Sequence, residues 1–301
     1  TKFINYELAP AFSAFRQPVC MLRERHGITM IYEEYPIRVE GSAEDAKMTT
    51  YLISHSEAIH TQERPLIMIC PGGGYRYVSE REGEMIAFQW NALGYHAVVL
   101  NYSVNPALYP TALLELAMAM KIVKEHSVEW YVDPDRILVE GSSAGGHLAA
   151  SFGMFWKKPF LAEKTGIASE KLRPAGMILH YPVITSGEYA HQDSFRMLLG
   201  DKYDELKEEM SLEHQVSADT PPAFIWHTNE DGSVPAENSL LLALEMRRHN
   251  VPVELHLYAK GGHGLALADE RTMCADGSGT EKECTSWVAL ADMWMREVIF
   301  Q

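Results

Sequence analysis

Cysteine is scarce in this sequence, and no long hydrophobic run is present. Four cysteines in 301 residues are too few for a disulfide scaffold. Cys70 ends an apolar run and is expected to be buried. Cys274 and Cys284 share a Gly-rich stretch and could pair, but reduced thiols are the favoured expectation. No run reaches the roughly 20 apolar residues that span a bilayer, so we expect no membrane-spanning helix.

A secretory signal is also missing from the first residues, which lack a basic region followed by an apolar stretch. We therefore expect a cytoplasmic protein, with a signal peptide already removed as the open alternative. Basic residues are in the minority: 26 Lys and Arg stand against 41 Asp and Glu, a formal charge of −15. Such a surface repels nucleic acid and anionic membranes, so we expect neither as a partner. A neutral small-molecule or oligosaccharide ester fits such a surface better than a polyanion does, so we expect a substrate of this kind. An oligomeric state stays possible.

Short apolar runs alternate with longer amphipathic ones, a pattern typical of an α/β fold with a mostly parallel sheet. The length fits one domain, 1–301, with residues 182–220 as a small insertion over the active site. The first run alternates apolar and polar residues and is expected to be an antiparallel edge strand. The motif 133–135 (DPD) predicts a turn before the following strand. The predicted strands are 31–39, 65–70, 95–102, 136–140, 175–181, 222–228 and 252–258, and the predicted helices are 82–93, 111–129, 144–155, 235–250 and 283–299.

Ser143 lies in the strongest motif, G-x-S-x-G within residues 141–147 (GSSAGGH). The motif follows a predicted strand and opens a predicted helix. A tight strand-to-helix turn forces the serine hydroxyl out at the end of the sheet. This context favours a nucleophile over a plain glycine turn.

A serine nucleophile needs a base, and the base needs an orienting carboxylate. His263 lies between glycines just after the last predicted strand, which favours it over the other twelve histidines. Glu230 and Asp231 compete as the acid in the turn 229–235 (NEDGSVP). The shorter side chain beside a glycine favours Asp231, although an Asp there could instead cap the following helix.

The developing oxyanion of an acyl transfer needs hydrogen-bond donors. Residues 70–75 (CPGGGY) place three glycines after a strand, and we assign the N–H groups of Gly73, Gly74 and Ala144 to this role. The glycines precede no Gly-Lys-Ser/Thr, and their spacing does not fit a dinucleotide fingerprint. His55 and His60 flank Glu57 without a third ligand. No cofactor and no metal are expected.

From residue 65 to about residue 299 the sequence resembles the α/β-hydrolase superfamily. It is most similar to hormone-sensitive-lipase-like esterases and to bacterial acetyl xylan esterases and related carbohydrate esterases. The motifs 70–75, 141–147, 226–235 and 261–264 carry this resemblance. Pro71 stands where lipase-like relatives have a histidine, which favours the sugar-esterase branch. The resemblance implies an eight-stranded sheet with helices on both faces and hydrolysis of short acyl esters.

The favoured function is removal of acetyl groups from carbohydrates such as acetylated xylo-oligosaccharides. The polar segment 182–220 favours this over an interfacial lipase, and Tyr75, Tyr77 and Tyr189 could stack on a sugar ring or serve as packing. A prolyl-oligopeptidase-like peptidase is one alternative, although about sixty residues before residue 65 cannot form a propeller. A catalytically silent ligand-binding protein is the other, although no triad member is missing.

Overall fold

One eight-stranded sheet runs through the part of the chain that the computed structural model describes, residues 30–301. The strand order is β1-β2-β4-β3-β5-β6-β7-β8. Strands β3 to β8 are parallel to one another, whereas β1 and β2 pair antiparallel. The expectation of a mostly parallel eight-stranded sheet is confirmed. The strands are β1 (Glu34–Pro36), β2 (Lys47–Tyr51), β3 (Arg64–Cys70), β4 (His96–Asn101), β5 (Val132–Ser142), β6 (Gly176–His180), β7 (Ala223–Thr228) and β8 (Val253–Tyr258).

Strand β3 shows why the central strands are apolar throughout. Leu66, Met68 and Cys70 belong to one hydrophobic core, and Ile67 and Ile69 belong to a second core. Successive side chains of a strand point to opposite faces, so a strand covered on both faces needs apolar residues at every position. The sheet therefore separates two cores.

Helices cover both faces of the sheet. Trp90 of α1 and Trp287 of α10 are buried in one core, whereas Leu116 of α2, Leu148 of α4 and Leu242 of α9 are buried in the other. Each helix of more than eight residues lies within a predicted one. The helices are α1 (Glu84–Ala92), α2 (Thr111–Glu125), α3 (Ser127–Trp130), α4 (Ala144–Phe155), α5 (Pro159–Thr165), α6 (Ser169–Leu172), α7 (Gln192–Leu199), α8 (Tyr203–Leu206), α9 (Glu237–Arg248) and α10 (Trp287–Trp294), the last continuing as a π-helical turn, Met295–Ile299. No helix in residues 30–301 is both long and apolar enough to cross a membrane.

The first strand lies at the antiparallel edge of the sheet, as expected, but it is shorter than predicted. The expected strand 31–39 is reduced to the three residues of β1, with one isolated bridge between Ile31 and Leu52. Its partner β2 was not predicted. Thr50 of β2 is fully buried, and its hydroxyl accepts the N–H of Glu33.

The predicted turn at 133–135 is wrong. These residues lie inside β5, where the pairing with β3 jumps from Arg64–Val132 to Leu66–Ile137. The Asp133 carboxylate accepts the N–H of Asp135, at 3.0 Å, within this irregular stretch of the strand. The turn-forming residues instead form a bulge within β5, and the strand continues beyond them.

Residues 182–220 pack against α9 through Asn238. The Asn238 side-chain oxygen accepts the N–H groups of Ile184 and Thr185, at 2.9 and 3.0 Å, and its amide donates to the carbonyl of Tyr189. The segment contains the two short helices α7 and α8. Cys70, Cys274 and Cys284 are free thiols, and Cys70 is buried as expected.

Candidate active site

Ser143 sits on the turn between β5 and α4 in a conformation that few residues adopt. Its φ is 53° and its ψ is −118°. Its N–H donates to the carbonyl of His180, and its own carbonyl accepts from Val183, both at 3.0 Å. The turn is tight enough that a Cβ at Gly145 would lie 2.0 Å from the Cys70 oxygen. The glycine of the motif is required for this close approach.

The structure brings Ser143, His263 and Asp231 together from three loops. His263 Nε2 lies 2.8 Å from Ser143 Oγ, and His263 Nδ1 lies 2.6 Å from Asp231 Oδ2. A carboxylate at Nδ1 fixes the proton there and leaves Nε2 to accept the serine proton. Glu230, the competing acid, is exposed and accepts the N–H of Gly261 instead.

Asp231 is surrounded by donors. The N–H groups of Ser233 and Val234 both donate to Oδ1 at 2.9 Å, and His227 Nε2 lies 3.3 Å from Oδ2. Burial alone would raise the pKa of this carboxyl. The hydrogen bonds from His227 and His263 outweigh burial and hold its pKa well below the usual range. Asp231 is therefore ionised at neutral pH.

The neighbouring serine has a different environment. Ser142 is 2% exposed, and its hydroxyl lies 3.1 Å from His180 Nδ1. His180 Nε2 in turn lies 3.1 Å from Glu140, whose other oxygen accepts the indole N–H of Trp90. This chain of buried polar groups lies below the nucleophile turn and has no access to the cavity.

A buried carboxylate braces the glycine loop. Glu82 is 4% exposed; one of its oxygens accepts the N–H of Gly72 at 2.8 Å, and the other accepts the hydroxyl of Tyr181 at 2.7 Å. The Tyr181 oxygen also accepts the N–H of Ala266, in the loop after His263. Glu82 thereby ties the loop of the predicted oxyanion donors to the loop of the base.

His147 makes a second brace on the other side of the glycine loop. Its Nε2 lies 2.9 Å from the carbonyl of Met210, so Nε2 carries the proton and Nδ1 accepts the Tyr75 hydroxyl, also at 2.9 Å. Burial lowers the pKa of His147 to about 4. Tyr75 is only 3% exposed, so it is packing and cannot stack on a sugar. Tyr77, 62% exposed, still can.

An open cavity of about 280 Å³ lies above Ser143. The predicted residues Gly73, Gly74, Ser143 and His263 line it, whereas Ala144 is buried directly behind the nucleophile. Within the described residues, the N–H groups of Gly73 and Gly74 donate to no protein acceptor. The other residues of the wall are Tyr77, Ser79, Arg81, Glu82, His191, Ser233 and Gly264.

Several residues of this site have no role in the sequence-based prediction. His147 and His227 stand inside the motifs that were identified, so their position was a usable signal for a bracing role. Glu82 and Arg81 follow the glycines without a motif of their own, and only the fold brings them to the cavity. In the described part of the chain, no group of three His, Cys, Asp or Glu side chains could hold a metal ion.

The BD-FAE family model matches residues 55–246, more than half of the chain, and the chain belongs to this α/β-hydrolase family. The match includes Ser143 and Asp231 and ends before His263. The solved acetyl ester-xyloside bifunctional hydrolase of Caldicellulosiruptor lactoaceticus is 36% identical, with a TM-score of 0.73 over 84% of this chain and 88% of that chain. The carboxylesterase Cest-2923 of Lactobacillus plantarum WCFS1 is 31% identical, with a TM-score of 0.78 over 89% and 98%.

Two curated relatives have names that concern xylan. Endo-1,4-beta-xylanase B of Butyrivibrio fibrisolvens is 35% identical over 69% of this chain, and the acetylxylan esterase of Xylanibacter ruminicola is 29% identical over 65%. The aligned regions span 33% and 40% of those proteins. Relatives named esterase, acetylxylan esterase and carboxylesterase support the expected class, a carboxylic ester hydrolase.

Proposed function

We propose that this chain is a serine esterase that removes short acyl groups, acetyl first, from carbohydrate through a Ser143–His263–Asp231 triad. The observation that carries the proposal is the unbroken chain of two hydrogen bonds, 2.8 and 2.6 Å long, from Ser143 through His263 to Asp231. The Ser143 end of this chain is a hydroxyl on the floor of an open cavity.

The chemistry follows from this arrangement. His263 Nε2 accepts the Ser143 proton as Oγ bonds to the ester carbonyl carbon, and Asp231 stabilises the imidazolium. The N–H groups of Gly73, Gly74 and Ala144 donate to the oxyanion. The imidazolium returns the proton to the leaving alcohol, which gives an acyl-enzyme on Ser143. Water activated by His263 then releases the acid and restores the serine.

Substrate size and polarity support acetylated sugars. The cavity is open and lined by polar groups such as Ser79, His191 and Ser233, with one exposed aromatic ring, Tyr77. A long acyl chain has little apolar wall to bury against, so each further methylene gains little binding energy. Two relatives named for xylan or for acetyl ester and xyloside chemistry are consistent with this class.

The nucleophile is tested with a matched pair of serines. Ser143→Ala is expected to lower kcat on p-nitrophenyl acetate by about 10⁴-fold or more, with unchanged circular dichroism. Ser142→Ala is the control, since it removes the adjacent hydroxyl from a buried network and not from the cavity. A fluorophosphonate should label Ser143 alone. Retained turnover in Ser143→Ala, or labelling of Ser142, contradicts the assignment.

The acyl preference is tested on p-nitrophenyl esters. We expect kcat/KM for acetate and butyrate to exceed that for octanoate by about tenfold, a difference of about 1.4 kcal/mol. Acetate release from acetylated xylo-oligosaccharides, followed by mass spectrometry, checks the sugar. An optimum at octanoate together with no acetate release would refute the carbohydrate substrate.

A further inference from the structure

Among the described residues that line the active-site cavity, Arg81 is the only Lys or Arg. It lies in the 3-10 turn Glu80–Glu82, shortly after the glycine loop. Its Nε donates to the carbonyl of Thr272 at 2.7 Å, which fixes the guanidinium against the loop that follows His263. A cation is therefore held in place on the cavity wall.

The rest of this guanidinium has no protein partner. Arg81 Nη2 is buried without a hydrogen bond, and no carboxylate oxygen of residues 30–301 comes within 4.0 Å of Arg81. A buried, unpaired donor on a charged group is costly. Five other arginines of the described chain do form ion pairs: Arg76, Arg136, Arg248, Arg271 and Arg296.

The nearby acidic side chains, Glu82 and Asp276, form no ion pair with Arg81. Glu82 accepts the N–H of Gly72 and the hydroxyl of Tyr181. Asp276 accepts both the N–H and the hydroxyl of Ser278 through Oδ1, and its carboxylate lies beyond ion-pair distance of Arg81. Nη1 is therefore the Arg81 nitrogen left for a group that enters the cavity, because Nη2 is buried beside Gly279 and Nε is bonded to Thr272.

The position of Arg81 indicates which part of a substrate it would meet. Its Nη1 lies 4.0 Å from where a Cβ of Gly264 would stand, and Gly264 directly follows His263. His263 delivers its proton to the leaving alcohol. Nη1 of Arg81 therefore lies beside the loop of the base, on the side from which we expect the alcohol to leave.

We propose that Arg81 forms a carboxylate subsite, and that the preferred substrates are esters whose alcohol part carries a carboxylate, such as acetylated oligosaccharides with a uronic acid. A guanidinium N–H forms a charge-assisted hydrogen bond to a carboxylate, which is stronger than a hydrogen bond between neutral groups. This inference rests on the proposed esterase function and replaces the neutral sugar expected from the net charge of −15. A fixed cation in the cavity acts at contact distance, whereas the surface field is screened by salt.

A pair of small esters isolates the carboxylate. Monoacetylated methyl glucuronoside and monoacetylated methyl glucoside differ in one carboxylate, and acetate release is measured for each. We expect wild-type kcat/KM to favour the glucuronoside by about tenfold, chiefly through KM, as a charge-assisted hydrogen bond would give. Arg81→Met should abolish this ratio, because kcat/KM for the glucuronoside falls about tenfold more than kcat/KM for the glucoside. Arg248→Met is the control, since it removes the same charge from an exposed ion pair on α9.

Each other outcome has a defined meaning. A wild-type ratio near one overturns the subsite. Equal losses on both substrates in Arg81→Met overturn it as well, because Arg81 would then serve only to hold the Thr272 loop. A carboxylate on the acyl side is tested with methyl hydrogen glutarate against methyl valerate, and a preference confined to this pair overturns the alcohol-side assignment. Absence of turnover on every neutral ester refutes the esterase itself.

A measurement on the wild type covers the case in which Arg81→Met does not fold. Methyl glucuronoside and methyl glucoside are compared as inhibitors of p-nitrophenyl acetate hydrolysis. The subsite predicts competitive inhibition at least about tenfold stronger by the glucuronoside. Equal inhibition by the two sugars, or none by either at concentrations up to tens of millimolar, overturns it.

Discussion

Glu230 and Asp231 are adjacent in the turn after β7, yet their carboxylates have different surroundings. Asp231 receives hydrogen bonds from the N–H groups of Ser233 and Val234 and from His263, and it is 7% exposed. Glu230 is exposed and accepts a single N–H. The preference for Asp231 in the sequence depended on its shorter side chain, and the turn shows why length matters. A side chain one carbon longer could not accept both N–H groups of its own turn so closely.

This difference gives a prediction for the pair. Asp231→Asn should lower kcat by about 10³- to 10⁴-fold, because the amide neither holds the reactive tautomer of His263 nor balances the imidazolium. Glu230→Gln should stay within about threefold, since the amide oxygen still accepts the N–H of Gly261. Steady-state kinetics on p-nitrophenyl acetate measure both. A larger loss in Glu230→Gln than in Asp231→Asn would reverse the assignment of the acid.

At the scale of elements, the glycine loop after β3 distinguishes two residues that the sequence treats alike. Gly73 has a φ of +126°, and a Cβ at this position would lie 2.0 Å from the backbone oxygen of Tyr77. A Cβ at Gly74 would meet only Ser194, at 3.8 Å, with φ at +64°. The first clash is with backbone and cannot be relieved by a side-chain rotation. The second position carries only the cost of a left-handed conformation, about 1–2 kcal/mol.

Alanine substitutions therefore serve as each other's control. Gly73→Ala should lower kcat by about 10²-fold or more, since the loop must shift away from the position of the oxyanion. Gly74→Ala should retain kcat within about tenfold and lose about 1 kcal/mol of unfolding free energy. Kinetics and urea denaturation of both variants check this. Similar kcat losses in the two variants would show that the loop geometry does not separate them.

The elements that could be predicted are those with a strong local pattern. Strand β3 is apolar at nearly every position because both of its faces are buried, and α4 follows the nucleophile motif directly. Strand β2 (KMTTY) has no such run, and it becomes a strand because β4 pairs with it and Thr50 bonds to Glu33. The roles of Glu82 and Arg81 depend on residues more than 90 positions away, Tyr181 and Thr272. A local sequence pattern cannot predict contacts between residues so far apart in the chain.

At the scale of the whole molecule, two buried histidines couple stability to pH. Burial lowers the pKa of His96 and of His147 to about 4 in the folded chain. In the unfolded chain each titrates near its ordinary value of about 6.5. Between these values the unfolded chain binds more protons than the folded one. The contribution of the two histidines to the unfolding free energy is therefore fully present above pH 6.5 and is lost as the pH falls towards 4.

We therefore expect the unfolding free energy to fall steadily between about pH 6.5 and pH 4, by up to about 1.4 kcal/mol per pH unit for each histidine. Asp231, whose folded pKa is depressed, adds its loss only as the pH falls below its unfolded value of about 4. Urea denaturation at several pH values measures the curve. His96→Asn removes one of these groups and should reduce the slope. A flat curve over this window in the wild type would contradict the account.

The Ser143–His263 hydrogen bond joins residues 120 positions apart. Ser143 follows β5, Asp231 follows β7 and His263 follows β8, so the bond can form only after the four strands from β5 to β8 have paired in the correct order. Contacts of such high sequence separation form late, because a long loop must close before they contribute. Recovery of hydrolytic activity during refolding thus reports completion of the sheet, and a partly assembled chain with helices and native-like strands is silent in that assay.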